Sequence, residues 1–552
     1  MMSQLAGTVR SASAGADARL RALRRHRRWV QPLIVVALLA EMAAAMAATA
    51  RAQSPTIDEP VYVGTAVVYL RQHDLRYNPE HPPLGKLLIG AGTAFARPRL
   101  DPDFTGPQEA VGRHLLYESG NDAQRLLLAA RLPMIVLTLL FGLVVFAFAR
   151  DLAGPVGGLM ALALYAFSPD VIAHGSLATL DVPAAGFLLT AVWLLWRARH
   201  RPVLYLPLAG VALGAALATK MSTLPAVPVL LALAILSVRR TGDRRSIARP
   251  VAAAGGTALI AIAVVWACYL AVDPRLRWTT PATVPDIGGM RGLLADWLPF
   301  PSPYRDGMRV QFGFEDSTWS GFLFGRLYRG SRWYYLPSAL LVKTPLGALV
   351  LWAAGIAAMV TVPRLRPAAP YVLVPVAALL AAAMSGSRDL GVRYVIFVPM
   401  FLAVAAAGAT AFRWRRAPAA TAALLLFVAV SVLRTHPYYL PYSNEAFGGP
   451  SKTHLRLHDS NVDWGQDLER LADHLRRRYP DERIWLVYKG SGVLSYYGIH
   501  AADPLAVPPD QVRGLLVVSD SWIAKASGPL LTLIRGSDPI DEVGHSITIY
   551  RR

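Results

Sequence analysis

The residues with chemistry to offer sit in a few short stretches. The segment TIDEPVYVGTAVVYLRQHDLRYNPEHPPLGKLL (56–88) opens on the acidic pair Asp58-Glu59 and closes on His81, two prolines and Lys86. Another acid, Asp181, ends the stretch HGSLATLD. The cations are Lys220 in ATKMS, Lys343 in LLVKTP and Arg393 in SGSRDLGVR. Carboxylates meeting over one cavity can divide the work of a group transfer. One accepts a proton, and the other orients the nucleophile or balances developing positive charge. Lysines and an arginine beside them can clamp a phosphate or pyrophosphate group.

Each piece also has a plainer reading. The run DEP suits the start of a short helix over 60–72, whose dipole the acids would counter. Asp181 fits an N-cap in the same way. Lys220 and Lys343 read singly as side chains snorkelling to a membrane interface. His81 is carried as a site candidate, but no HExxH-type spacing makes it a metal ligand, and a hydrogen-bonding histidine is the simpler reading.

Positioning these residues falls to a chain of 552 residues, 54% hydrophobic and only 17% charged, a composition of a polytopic membrane protein. The net charge of +20 could suggest nucleic acid. The arginines, however, sit in short clusters between apolar runs, the pattern of cytoplasmic loops, so no nucleic-acid partner is expected. The single cysteine, Cys268, lies inside an apolar run, which rules out an intrachain disulfide.

Apolar runs cover 30–50, 131–149, 154–169, 181–196, 203–219, 222–238, 251–272, 337–362, 370–386, 391–411 and 416–434. The first follows a basic tail (1–29) and precedes ATARAQS; it reads as a retained signal-anchor helix rather than a cleaved signal peptide. With the N-terminus in the cytoplasm, Arg150 and the arginine-rich loops at 197–201, 239–249, 363–367 and 413–416 all fall on one side. That satisfies the positive-inside rule and predicts about eleven crossings, with the C-terminus outside.

The other side then holds every candidate residue, together with long loops at 51–130 and 273–336. Loops of that length are rarely idle. A composition shift near 435 marks a small α/β domain over 435–552, beyond a transmembrane catalytic domain over 30–434. Within it, 467–479 has helical periodicity, and 483–488, 514–519 and 546–551 read as strands. Trp319, Trp333, Tyr334 and Tyr335 crowd the second long loop, as a sugar or prenyl groove or as a buried plug.

No phosphate-cradling GxxxxGKS loop, dinucleotide GxGxxG or GxSxG elbow is present, so the energy for any transfer must arrive with an activated donor. Two other classes compete. A flippase for lipid-linked sugars calls for mid-membrane charges and inverted repeats, of which only Glu41 in the first run offers a trace. A non-catalytic envelope assembly protein would not need acids and lysines gathered on one face.

The stretch DEPVYVGTAVVYLRQHDLRYNPEHPPLGKLL resembles the first outer loop of the protein O-mannosyltransferase-like GT-C glycosyltransferases, with its Asp-Glu pair, short helix and His/Lys-Pro-Pro-Leu element. HGSLATLDVPAAGFLLT is similar to that family's second acidic element, and GVALGAALATKMS to its Gly-rich span ending in Thr-Lys. FLFGRLYRGSRWYYLPSALLVKTPLG (322–347) and HDSNVDWGQDLERL (458–471) resemble stretches of bacterial members.

The resemblance implies a mainly helical GT-C membrane protein of the bacterial inner membrane. It implies a polyprenyl-phosphate sugar as donor and inverting transfer to an acceptor hydroxyl at the outer face. By the same resemblance Asp58, with Glu59 beside it in the catalytic set, would be the catalytic base or an acceptor-orienting carboxylate, and Asp181 the second site acid. Lys86 would sit where related lipid A aminoarabinose transferases contact the lipid phosphate, and Arg393 would add a phosphate or sugar contact. Lys220 and Lys343 complete the expected donor-phosphate set. A MIR-type carbohydrate-binding module is lacking in 273–336, which puts a protein acceptor in doubt. The sugar, the acceptor and any divalent metal cofactor stay open.

Overall fold

The computed structural model describes residues 29–239, 247–412 and 414–552; most of the basic tail, the centre of the 239–249 loop and Arg413 lie outside the described residues. Its frame is a bundle of apolar helices, the form that lets a chain satisfy its own backbone donors and acceptors within lipid. The first helices are α1 (Trp29–Ala52), α2 (Glu59–Gln72), α3 (Pro83–Ala96), α4 (Gln108–Tyr117) and α5 (Ala123–Ala166). They are followed by α6 (Pro169–Gly175), α7 (Asp181–Ala198), α8 (Pro202–Thr219), α9 (Ala226–Arg239) and α10 (Ala248–Val272). Then come α11 (Gly289–Trp297), α12 (Ser302–Asp316), α13 (Tyr335–Lys343), α14 (Leu346–Thr361), α15 (Ala369–Met384), α16 (Phe397–Ala406) and α17 (Ala417–Leu433).

Each of the eleven predicted apolar runs falls mainly in helix. The long α5 is broken at Gly154 (φ 76°, ψ −174°), a conformation open to glycine, and Pro155 follows without an amide donor; the helix joins the runs 131–149 and 154–169, between which Arg150 and Asp151 lie. Among the described residues, four helices are long and apolar enough to cross a membrane, or five if α13 and α14, bent by 118°, form one span. Helix length alone therefore accounts for fewer crossings than eleven. The chain is a multi-pass membrane protein, and its core lies where α5, α7, α8 and α16 meet; all ten residues of α16 are buried.

At one end of the bundle α2, α3 and α4 pack together. Here α2 and α4 touch backbone to backbone: a Cβ on Gly112 would lie 1.7 Å from the Pro60 carbonyl oxygen. The loop between α12 and α13 carries a hairpin of β1 (Ser320–Leu323) and β2 (Arg326–Arg329).

The C-terminal part holds α18 (Leu468–Arg478), β3 (Ile484–Val487), β4 (Ala501–Ala502), β5 (Leu515–Ser519), α19 (Asp520–Ile523), α20 (Gly528–Arg535), β6 (Asp538–Val543) and β7 (Ile547–Arg551). Its five-stranded sheet has the order β4-β3-β5-β7-β6, with β3 parallel to β4 and β5, and β7 antiparallel to β5 and β6. Leu468, Leu471 and Leu475 of α18 cover one face, and Leu530 and Leu533 of α20 the other. The central strand β5 is buried throughout, which is why LLVVS reads as a strand. The two edge strands were missed because β4 has two residues and β6 (DPIDEV) is largely exposed and acidic.

Candidate functional site

Asp58 stands at the start of α2, yet its carboxylate makes no cap hydrogen bond to the helix. Instead Asp58 Oδ2 accepts a 2.6 Å hydrogen bond from Nη1 of Arg393, which comes from the turn before α16. The Asp58 side chain is 26% exposed, enough to meet a substrate. Asp58 thus occupies the N-cap position of α2, as the helix-start reading expects, but its carboxylate bonds to Arg393 and not to the helix amides.

Asp181 opens α7, also without a side-chain cap bond. It accepts a 2.5 Å hydrogen bond from Lys220 Nζ at the end of α8. The Tyr394 ring joins the two pairs: Lys220 lies 5.6 Å, Arg393 5.2 Å and Arg388 5.7 Å from its centroid. Three cations meet at one aromatic ring, with Asp58, Asp181 and Glu315 as their carboxylate partners. The phenol of Tyr62, on α2, is pushed well above its usual range by burial, and next by the charges of Asp58 and Asp181, so both acids face one place.

Glu59 has a different environment. Its carboxylate is fully buried and accepts from Arg131 Nε (2.7 Å) and Nη2 (2.6 Å), from Thr56 N (2.9 Å) and Oγ1 (3.1 Å), and from Ala178 N (2.8 Å). Burial pushes this carboxyl up, but the Arg131 charge and these hydrogen bonds outweigh it and hold it below the ordinary glutamate range. Arg131 also donates to the carbonyls of Ala50, Gln53 and Ser54. With all its acceptor capacity in use, Glu59 fastens the chain on both sides of Asp58 and leaves nothing for a substrate.

The lysines also depart from the expectation of free ammonium groups. Lys86 is wholly buried and donates to Asn78 O (2.8 Å), Asn78 Oδ1 (3.2 Å) and His81 O (2.6 Å). Burial pushes it down to about 7. Lys343 is equally enclosed: it donates to Leu440 O at 2.5 Å and Asn461 O at 3.1 Å, and pairs with Asp170 at 3.2 Å. Neither Lys220 nor Lys343 snorkels, because each finds partners inside the protein. His81 meets Tyr62 edge-on at 5.7 Å, and burial, followed by the charges of Lys220 and Lys86, keeps its imidazole well below the usual range and neutral.

Several residues of the site escaped the sequence reading. His174 is 1% exposed, and neither ring nitrogen has a hydrogen-bond partner in the protein. Burial pushes it down to about 3; Asp181 opposes this, and Lys343, Arg393 and Lys220 add to it. Trp464 meets His174 edge-on at 5.9 Å and lies 4.4 Å from the Arg393 guanidinium. Arg388 pairs with Glu315 of α12 at 2.8 Å. The usable signal was their place in HGSLATLD, SNVDWGQD and SGSRDLGVR, stretches singled out for other residues. Of the four loop aromatics, Tyr335 is buried while Trp333 is 68% exposed, so they form neither one groove nor one plug. Among the described residues no group of three or more His, Cys, Asp or Glu side chains could hold a metal ion.

Residues 35–275 match the PMT family, dolichyl-phosphate-mannose-protein mannosyltransferase. ArnT from Cupriavidus metallidurans in the apo state is similar in structure, with 15% identity over 95% of this chain and 98% of that one and a TM-score of 0.50. Its form bound to undecaprenyl phosphate aligns at 16% identity over 94% and 97%, with a TM-score of 0.48. The Saccharomyces cerevisiae Pmt1-Pmt2 complex bound to the sugar donor covers 44% of this chain and 33% of its own, at 20% identity and a TM-score of 0.34. At these identities the likeness is one of fold. No curated protein matches the chain in sequence. Residues 35–275, the part that carries Asp58 and Asp181, are thus similar to the PMT family, and the helical frame is similar in fold to that of ArnT.

Proposed function

We propose that the chain is an inverting glycosyltransferase that moves a sugar from a polyprenyl-phosphate carrier to an acceptor hydroxyl. The reaction takes place at the outer face of the inner membrane. The observation that carries this reading is the Asp58–Arg393 pair beside Asp181–Lys220, two carboxylates and two cations at one end of the bundle. The positive-inside pattern, with eleven crossings and a cytoplasmic N-terminus, would put that end, and the α/β domain over 435–552, outside. The match of 35–275 to a family named for a dolichyl-phosphate-linked sugar supports a lipid carrier of this class.

The geometry suggests how the charges are used. A donor phosphate entering the pocket competes with Asp58 for Arg393, and Lys220 and Arg388 draw it in. Asp58, released from its cation, takes the proton of the acceptor hydroxyl as that oxygen bonds to the anomeric carbon. The bond from the anomeric carbon to the phosphate oxygen breaks, and its electrons leave with the lipid phosphate, stabilised by Arg393. Asp181, held by Lys220, balances the positive charge that grows on the sugar. Glu59, Lys86 and Lys343 hold the loops that carry these groups; Lys86 would reach a phosphate only by leaving Asn78 and His81. Purified protein given a panel of polyprenyl-phosphate sugars, polyprenyl-phosphate mannose included, should release polyprenyl phosphate from at least one. Release from none of them would refute the reading.

A further inference from the structure

The stretch SNVDWGQD (460–467) leaves the helical bundle for the C-terminal sheet, and on its way it touches both halves of the Asp58–Arg393 pair. On the Asp58 side, Trp464 O accepts from Ile57 N and Gln466 O from Ser54 N, each at 3.0 Å, so the chain entering α2 is bonded like a strand to this segment. On the Arg393 side, Asn461 Oδ1 accepts from Val392 N at 3.0 Å, and Ser460 Oγ donates to Leu390 O at 2.8 Å. The approach is close enough that a Cβ on Gly391 would lie 2.1 Å from Ser460 Oγ. Between the two sides lies the Trp464 indole, 4.4 Å from the Arg393 guanidinium. Arg393 Nε has no hydrogen-bond partner, so Asp58 and the Trp464 and Tyr394 rings together fix where this guanidinium lies.

The segment is in turn held from the sheet. Lys489, just after β3, donates to Asp459 Oδ2 at 2.5 Å, and Ser521 Oγ accepts from Asp459 N at 2.9 Å. Ser491 Oγ donates to Thr56 O at 3.0 Å, so the sheet also touches the Asp58 strand directly.

We propose that residues 458–467 are a positioning element of the transfer site, in which Trp464 and Asn461 set Arg393 against Asp58 and the C-terminal α/β part anchors the element from behind. The proposal rests on the glycosyltransferase reading for its catalytic consequence but not for its structural one. A small displacement of paired groups suffices, since misplacing reacting groups by 1 Å can cost about a hundredfold in rate.

The test uses the full chain in nanodiscs. In Asn461→Ala and Trp464→Leu, backbone hydrogen exchange over 54–62 and 388–396 should quicken, with no comparable change in α5 or α8. With polyprenyl-phosphate mannose, Trp464→Leu should lower kcat about tenfold or more and shift donor KM by less than about threefold, and Trp464→Phe, which keeps a ring over the guanidinium, should recover most of the loss. Combined with Arg393→Lys, Trp464→Leu should cost little more than Arg393→Lys alone, because both act on one cation. Unchanged exchange in both variants, or losses that multiply in the double mutant, would overturn the proposal. Should wild-type protein release no polyprenyl phosphate from any donor of the panel, the function reading fails, and the exchange experiment alone still decides the positioning claim.

Discussion

Asp58 and Glu59 are neighbours in sequence and opposites in setting. Asp58 is part-exposed and shares one short contact with a cation, while Glu59 is fully buried and bonded to Arg131, Thr56 and Ala178. Successive residues at a helix start point about 100° apart, so one side chain reaches the pocket and the other the interior. The pair therefore separates two settings that a DE motif leaves merged: a carboxylate that faces the pocket, and one that ties the loop around it.

The sharpest way to break this contrast is to remove each carboxylate's function in turn. Asp58→Asn should lower polyprenyl-phosphate release by about 10²–10⁴-fold and leave the thermal midpoint almost unchanged, as expected for a proton acceptor. Near-normal turnover would end its assignment as the base. Arg131→Met should do the reverse. Leaving Glu59 buried and unpaired costs about 3–5 kcal/mol, to be read as lost folded protein in membranes. A well-folded, inactive Arg131→Met would instead move Glu59 into the chemistry.

Lys220→Gln tests the second pair. Donor KM should rise about tenfold, the value of roughly one charge-assisted contact, with a smaller change in kcat. The smallest expected effect concerns pH and lies in the C-terminal part. Burial there pushes Asp520 up to about 7 and Asp463 up to about 6. Folded values above the ordinary aspartate value of about 3.9 mean that the folded state holds the extra proton. This contribution to stability is full below about pH 4 and is lost as pH rises through about 7. The melting midpoint should fall between pH 5 and pH 8, and Asp520→Asn should flatten that slope; an unaltered slope would remove Asp520 as its source.

Much of the frame could be read without coordinates. The apolar runs, α18 and the strands β3, β5 and β7 all follow from local pattern, because hydropathy and turn chemistry act over a few residues. The candidate site was legible only as a set. Asp58, Asp181, Lys220 and Arg393 come together as expected, but the expected roles of Glu59, Lys86 and Lys343 met side chains already enclosed. His174, Arg388 and Trp464 were passed over because a buried histidine or tryptophan looks the same in sequence whether it faces a core or a charged pocket.

The amino-acid sequence by itself determined that this is a membrane protein with its arginines clustered in short loops between apolar runs. It could do so because burial in lipid and the placement of arginines are sums over local composition. Which acid meets which cation was decided by tertiary structure alone. Asp58 and its partner Arg393 are 335 positions apart, and Glu59 and Arg131 are 72 apart. Only packing sets those distances and directions, and they separate a part-exposed carboxylate from a fully buried one.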